Sequence, residues 1–458
     1  MGVKAQGLRS RVRPDRILAV ILEVLAAIRA EGQLADRTLS RVLRRERGLW
    51  SAERRAVAEA VYRLLRQDRL VETVLDRALG ELRVPRATLS ATRLDVLRLA
   101  VAAAFAGDAP PPGELPGRVA ERAAALRGSV LEGEEDPWER IAVETSLPGW
   151  FVTRFGGRLG AAETAALASA LNRRAPLTVR ANLLRTAAGE LGERLAAEGA
   201  RPAACRYSPW GLVLPAHVNA FGLRAFHDGL FEVQDEGSQL IALACGVPPG
   251  RRVVDGCAGA GGKSLALAAA MGNRGEIWAL DAREDRLAML RPRAARAGAD
   301  NIRCVAIAEG GPLPPAIDRL SGKADLLLVD APCSGTGSLR RNPDARRRLS
   351  EEAIADHAAR QLAILQRLSP LVRPGGRLVY ATCSLLWEEN EEVVARFLAL
   401  SGDFAVAPWR EVLGPDLSAA LDEPLAGGPA MLRSELGLRL WPQRHGTDGF
   451  YAAVLAKR

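Results

Sequence analysis

A chain of 458 residues, 48% hydrophobic and 26% charged, with a mean hydropathy of −0.01, is long enough for several cores and too apolar for wholesale disorder; collagen-like and low-complexity architectures are excluded as well. Lys and Arg outnumber Asp and Glu by 63 to 54, a net charge of +9, and all of these cations except Lys4, Lys263, Lys323 and Lys457 are arginines. The excess sits at one end, where residues 1–70 hold sixteen basic and eight acidic side chains, a balance that suits an anionic partner such as nucleic acid or, equally, an arginine-rich solvated helical surface.

The first predicted element is a helix. Basic residues in 9–16 followed by the apolar run 17–28 imitate a secretory leader, but Glu23 interrupts the run and Arg29 closes it. Ile17, Val20, Ile21, Val24 and Ile28 fall at helical spacing, so the segment reads as amphipathic. No stretch approaches the roughly 18 apolar residues of a membrane span. The helical period continues through 64–79 and 94–101, so residues 1 to about 105 read as helices throughout. A Pro/Gly-rich break (GDAPPPGELPG, 107–117) and an acidic one (128–137) enclose one more short helix.

Between 141 and 232 the pattern changes to a small α+β module, with a strand predicted over 178–184 (TVRANLL), a helix over 189–197 and a strand over 211–214. From about 233 onward, apolar strands alternate with helical stretches: 251–255, 276–281, 301–307, 324–330 and 377–380. Such runs indicate a parallel sheet buried on both faces, with ligands beyond the carboxyl ends of the strands. Three of these strands end in an acid, Asp255, Asp281 and Asp330.

The six cysteines, Cys205, Cys245, Cys257, Cys304, Cys333 and Cys383, form no CxxC pair, and there are four histidines. That argues against a zinc module and a disulfide framework, and the expected compartment is the cytoplasm.

The first core strand runs into DGCAGAGGKS (255–264). Gly259, Gly261 and Gly262 allow backbone to approach a ligand at a helix start. The segment nearly matches the phosphate loop GxxxxGK[ST], but Cys257 stands where its first Gly is required, which weakens an ATPase reading. Asp281, 26 residues after Asp255, is placed to accept from ribose hydroxyls, as in nucleoside-cofactor folds. The fourth strand ends in DAPCSGTG (330–337) and the fifth in YATCS (380–384), which puts Cys333 and Cys383 at the edge where a cofactor lies. A structural cysteine is the default reading of this residue; two of them at one ligand edge, each followed by a Ser, argue for chemistry.

These residues resemble the RNA cytosine-5 methyltransferases of the Nop/Sun type. The resemblance rests on the Gly-rich loop, Asp281, DAPCSGTG, YATCS with Glu389-Asn390-Glu391 behind it, the closing Asp448-Gly449-Phe450, and FEVQDEGSQ at 231–239. The helical start, with AVYRLLR at 60–66, is similar to a NusB-like RNA-binding domain. The fold class implied is multidomain: an all-α NusB-like domain (1–140), a small α+β RNA-binding-type module (141–232) and an α/β Rossmann-like S-adenosylmethionine-dependent methyltransferase domain (233–458). That order resembles the family members acting on small-subunit ribosomal RNA. Transfer RNA as the substrate, and a NusB-like RNA-binding or antitermination protein with an inactive catalytic domain, are the rival readings, the second disfavoured by the presence of both thiols.

The resemblance implies Cys383 as the attacking thiolate, Cys333 as an aid to release and Asp330 as the group that holds the base. A DNA-type cytosine methyltransferase would instead attack with the Cys after Pro, Cys333. For S-adenosylmethionine it implies Cys257, Ala258, Gly259, Gly261, Gly262 and Lys263 around the methionine and ribose, Asp281 on the ribose, Arg286 nearby, and Asp330. Two positions depart from the family's pattern: Ala260 stands where Pro is usual, and Glu309 is a shifted substitute for an Asp near the adenine. Arg340 and Arg341, with Arg346, Arg347 and Arg348 behind them, are expected to grip RNA phosphates, and Arg180 and Asn182 are further RNA-contact candidates. The expected enzyme is monomeric, free of metal and of membrane, with RNA as its partner.

Overall fold

The computed structural model describes residues 13–31 and 34–458; Lys4, Arg9 and Arg11 of the basic start lie outside them. By its contacts the chain divides at Asn172 into two compact units, with Asn342–Arg348 counted in the first and the rest of 173–458 in the second.

The first unit is helical. Its amphipathic opening helix, Pro14–Glu31, buries Val20, Ile21, Val24, Leu25 and Ile28 against Val57, Val61 and Leu64 of Ser51–Arg66 and against Leu97 and Val101 of Ala91–Ala106. The predicted helical spacing is thus the packing face. Ser90 caps Ala91–Ala106 by accepting from the Arg93 N–H, and Asp136 caps Pro137–Thr145, with Pro137 at its first position. Asp95, buried within Ala91–Ala106, is held by Arg29 and Arg98.

The short turn Pro343–Arg348 is part of this unit. Asp344 accepts from the Ala35 N–H at 3.2 Å, at the start of the helix Ala35–Arg45. Arg346, 5% exposed, sends Nη1 to the carbonyls of Arg66 (2.8 Å) and Thr145 (3.1 Å) and to the Asn172 side chain (2.8 Å), and Nη2 to the Leu171 carbonyl (2.9 Å). Three helices, Ser51–Arg66, Pro137–Thr145 and Ala161–Asn172, end on this one guanidinium. An acid at a helix start and a base at helix ends both suit the backbone dipole. Burial, with the Arg66 charge nearby, pulls Arg346 down to about 10. Arg347 pairs with Asp68 at 2.9 Å and Arg348 with Asp344 at 3.1 Å. The expectation that these arginines grip phosphate is corrected for Arg346, which is buried as a helix cap; Arg347 and Arg348 are partly exposed and paired with carboxylates.

The second unit opens with a four-stranded antiparallel sheet of β1 (Leu177–Ala181), β2 (Ala203–Ala204), β3 (Gly211–Leu214) and β4 (Phe231–Val233), in the order β2-β3-β1-β4. The helix Ala188–Ala197 packs Leu191 and Leu195 on it. The strand predicted over 178–184 stops at Ala181, because the Asn182 side chain accepts from the Leu184 N–H and turns the chain.

The larger sheet comprises β5 (Arg251–Asp255), β6 (Gly275–Asp281), β7 (Ile302–Ala306), β8 (Ala324–Asp330), β9 (Val372–Thr382), β10 (Phe404–Ala407), β11 (Leu438–Leu440) and β12 (Phe450–Lys457). Its order is β10-β12-β9-β8-β5-β6-β7, with β11 on β12. The pairs from β7 to β9 are parallel, as the apolar runs predict, and β10, β11 and β12, which the sequence reading passed over, add an antiparallel edge. Alternate residues face opposite cores: Val253, Leu326, Leu328 and Val379 one side, Val254, Leu327, Val329 and Leu378 the other. Strand order reverses at β5, which is the switch point where α/β sheets bind ligands. Among the described residues no helix is long and apolar enough to cross a membrane.

Arg346→Met keeps the apolar stem and removes the fork, leaving four acceptors without their donor. We expect it to destabilise the full chain by about 3 kcal/mol, read as a lower urea midpoint. Arg347→Met, which removes one partly exposed ion pair, should cost less than about 1 kcal/mol.

Candidate active site

The site is built where β5, β6, β8 and β9 end. After Asp255 the chain turns through the glycine-rich loop into the helix Gly262–Ala270. Gly259 and Gly261 have φ of +54° and +83°, and a Cβ on Gly261 would lie 2.0 Å from Leu290 Cδ1, so this turn needs glycine. At the end of β6 the Asp281 carboxylate accepts from the Gly259 N–H (2.7 Å, Oδ2) and the Arg283 N–H (2.8 Å, Oδ1). Each oxygen keeps a further lone pair for a ligand hydroxyl.

Two buried groups hold the loop. Ser264 Oγ donates to Asp255 Oδ2 at 2.6 Å, and burial pushes the Asp255 carboxyl up to about 7, with Asp330 adding to the rise. Its Oδ1 has no partner among the described residues. Arg180 on β1, 2% exposed, donates to the Gly262 carbonyl (3.0 Å) and Gln234 Oε1 (2.6 Å); burial pulls it down to about 10.

Lys263, the first charged residue of that helix, reaches Asp330 Oδ2 at 2.7 Å, with its ammonium 5.5 Å from the centre of the Phe450 ring. Burial works against its charge, but Asp330 and the Cys383 thiol outweigh it and hold the ammonium above its ordinary range. Cys333 Sγ lies 3.3 Å from Cys383 Sγ. The hydrogen bond to Cys383, then burial, the Cys383 charge and, after these, the Glu389 charge push the Cys333 thiol well above its usual range.

Asp281, Asp330, Lys263 and both cysteines line one cavity of about 880 Å³, together with Cys257, Ala258, Gly259, Gly262, Arg286 and Glu309. The volume lies within the range of ligand pockets. A glycine cradle, a carboxylate with open lone pairs and a buried ammonium paired with a partly exposed carboxylate fit a nucleoside cofactor with a charged amino-acid tail, as in S-adenosylmethionine. Gly261 does not line the cavity; it shapes the turn. Glu309 does, paired with Arg360 at 3.1 Å on its exposed rim. Among the described residues no group of three or more His, Cys, Asp or Glu is arranged to hold a metal ion.

Four RNA-contact expectations are corrected. Arg180 is buried under the cofactor loop, and Asn182, 4% exposed, donates to the carbonyls of Gly229 and Ala297, both at 2.8 Å. Arg340, also buried, bonds to Asp448 and to the Gly446 carbonyl (2.9 Å). Arg341 is divided between Asp448 and Asp235 (2.6 Å). Arg180, Asn182 and Arg340 are buried out of a phosphate's reach, while Arg341 is partly exposed and engages two carboxylates through Nε and Nη2.

The sequence reading quoted Glu389 and Asp448 only as motif positions, and Gln361 not at all. Glu389, fully buried, accepts from the Ser334 N–H (2.8 Å), the Ser334 hydroxyl, the Ser384 hydroxyl (2.5 Å) and the Gln361 amide (3.0 Å). A Ser after each Cys was the available signal; Gln361, inside the helix Glu351–Leu368, gave none.

The family model described as 16S rRNA methyltransferase RsmB/F matches residues 243–456, and that of the ferredoxin-like domain of RsmF/B-like methyltransferases matches 147–220. The probable ribosomal RNA small subunit methyltransferase B of Synechocystis sp. is 31% identical over 454 residues, 95% of this chain and 98% of its own length. Ribosomal RNA small subunit methyltransferase B of Pseudomonas syringae pv. tomato is 33% identical over 329 residues, 72% of this chain and 68% of its own. The solved structure of PH0851 is 25% identical with a TM-score of 0.75, covering 99% of this chain and 100% of that one.

Asp255 also makes stability depend on pH. Its folded pKa of about 7 lies above that of an unfolded aspartate, so the folded state binds the extra proton between about pH 4 and 7 and loses stability as pH rises through that window. Asp255→Asn removes this dependence: the stability advantage of wild type over the variant should shrink by about 3–4 kcal/mol between pH 4 and pH 8, measured by urea unfolding at each pH.

Proposed function

The chain belongs to the RsmB/F family of 16S rRNA methyltransferases, and from that premise we propose that it methylates cytosine C5 in small-subunit ribosomal RNA through a covalent Cys383 adduct. The observation that carries this reading is the pair of thiols 3.3 Å apart beside the Lys263–Asp330 ion pair, at the edge of the cofactor cavity. The family's cofactor is S-adenosylmethionine.

Cytosine C5 is a poor nucleophile until C6 is attacked. Cys383, the thiol on which the Lys263 charge acts, adds to C6 as a thiolate and forms the C–S bond, pushing electrons toward C5. Asp330, with Lys263 on Oδ2, holds the polar edge of a base flipped out of its stack. Bound S-adenosylmethionine supplies the electrophilic methyl group that C5 takes. Cys333 then assists release: a base carries off the C5 proton, the C–S bond breaks, and its electron pair returns to Cys383 as thiolate.

The proposal extends to the division of labour along the chain. Residues 1–140 serve as a NusB-like RNA-recruiting domain, 141–232 as a second RNA-binding module and 233–458 as the catalyst. In support, Arg37, Arg41 and Arg44 of the helix Ala35–Arg45 are exposed at i, i+4 and i+7, opposite the buried Thr38, Leu39 and Val42. This is a basic stripe at the spacing of one helix face.

Cys383→Ala is expected to reduce methyl transfer to background while cofactor affinity stays within about twofold. Cys333→Ala should leave an enzyme–RNA adduct that survives denaturing electrophoresis. Full turnover by the first variant, or no shifted band with the second, overturns the assignment of roles. Bisulfite sequencing of RNA from cells with and without the protein tests the substrate: a lost 5-methylcytosine signal in small-subunit ribosomal RNA is expected, and loss only in transfer RNA would sink that part of the reading.

A further inference from the structure

Two chemically identical thiols sit side by side in this site, and something must make them different. The loop carrying Cys333 is gripped on both sides of that residue: Gln361 donates to the Pro332 carbonyl at 3.0 Å, and Ser334 gives its N–H and its hydroxyl to Glu389. The loop carrying Cys383 reaches the same carboxylate through Ser384 Oγ at 2.5 Å. Glu389 therefore ties both cysteine loops to one point. Among the described residues it has four hydrogen-bond partners and no cation, and it is fully buried.

We propose that Glu389 is the positioning residue that tells the two cysteines apart, clamping their loops together and setting a buried negative charge beside Cys333 while the ammonium of Lys263 serves Cys383. The proposal rests on the reading that Cys383 attacks and Cys333 releases. The groups facing Cys333 are Cys383 at the end of β9, Glu389 from the turn Trp387–Glu389, and Tyr380 within β9, whose hydroxyl donates to the Glu389 carbonyl at 2.5 Å; beyond Cys383 lie Lys263 and Asp330. An anion near a thiol disfavours its thiolate and a cation favours it, so Glu389 and Lys263 bias the two thiols in opposite directions.

The test is alkylation of the full chain by iodoacetamide across pH, with each cysteine followed by peptide mass spectrometry. In wild type, Cys383 should react at lower pH than Cys333. Glu389→Gln keeps the size and removes the charge. Its Cys333 should alkylate about tenfold faster at pH 8, with the two profiles drawn together, and its kcat should fall at least tenfold with unchanged cofactor affinity. Glu389→Asp, which keeps the charge, should leave the Cys333 profile near that of wild type, and this second variant decides the matter if Glu389→Gln fails to fold. If Cys383 does not react ahead of Cys333 in wild type, the assignment of nucleophile fails. If it does, but folded Glu389→Gln leaves the Cys333 profile where it was, or Glu389→Asp shifts it as removal of the charge should, the role of Glu389 alone is overturned.

Discussion

The site depends on the pairing of two parallel strands that stop at the same level. β8 and β9 run side by side with Asp330 opposite Ala381, so loops that leave them some fifty residues apart in the chain start as neighbours. The pairing continues past the strands: the Ala331 N–H donates to the Ala381 carbonyl at 2.8 Å and the Gly337 N–H to that of Cys383 at 2.9 Å. The Gly449 N–H then donates to the Gly337 carbonyl at 2.9 Å, and a Cβ on Gly337 would lie 2.1 Å from the Gly449 oxygen. Three distant motifs are thereby laid on one another by backbone hydrogen bonds. A slip of one residue between β8 and β9 would exchange the faces of every side chain beyond it and part the thiols.

Backbone register brings the loops together, and buried polar groups fix their final geometry. Taking a carboxylate such as Glu389 fully out of water costs several kcal/mol, offset here by four charge-assisted hydrogen bonds. Asn390 repeats the pattern for β9, accepting from Thr382 Oγ1 at 2.6 Å and donating to the Ser384 carbonyl at 3.0 Å. Such a network is stable only when every member is satisfied, which is also why it specifies a single arrangement.

Much of this was legible in the residues themselves. The apolar runs ending in Asp255, Asp281 and Asp330 gave the parallel strands, because a sheet covered on both faces must be apolar at every position. β12 was missed although 450–455 is apolar throughout, since its Asp-Gly-Phe start was read as a motif. The arginines were the least legible. Arg180, Arg340 and Arg346 look alike in a sequence, as spare cations in a basic chain. In the fold each is buried against carbonyls, a side-chain amide or a carboxylate. Their acceptors come from elements far away in the chain or from helix ends, which no local pattern announces.

The rarity of lysine has a physical reading at the one place where lysine is buried in the site. A guanidinium at 263 would present a rigid fork and take both oxygens of Asp330 in the usual bidentate pair. The ammonium is a compact point charge: it bonds one oxygen, at 2.7 Å, and still acts on Cys383. In the proposed mechanism that leaves Asp330 with one oxygen for a base and gives the attacking sulfur a counter-charge, two duties that a bidentate arginine would collapse into one. In a chain that uses arginine for nearly every other cation, position 263 keeps the side chain whose charge can be shared.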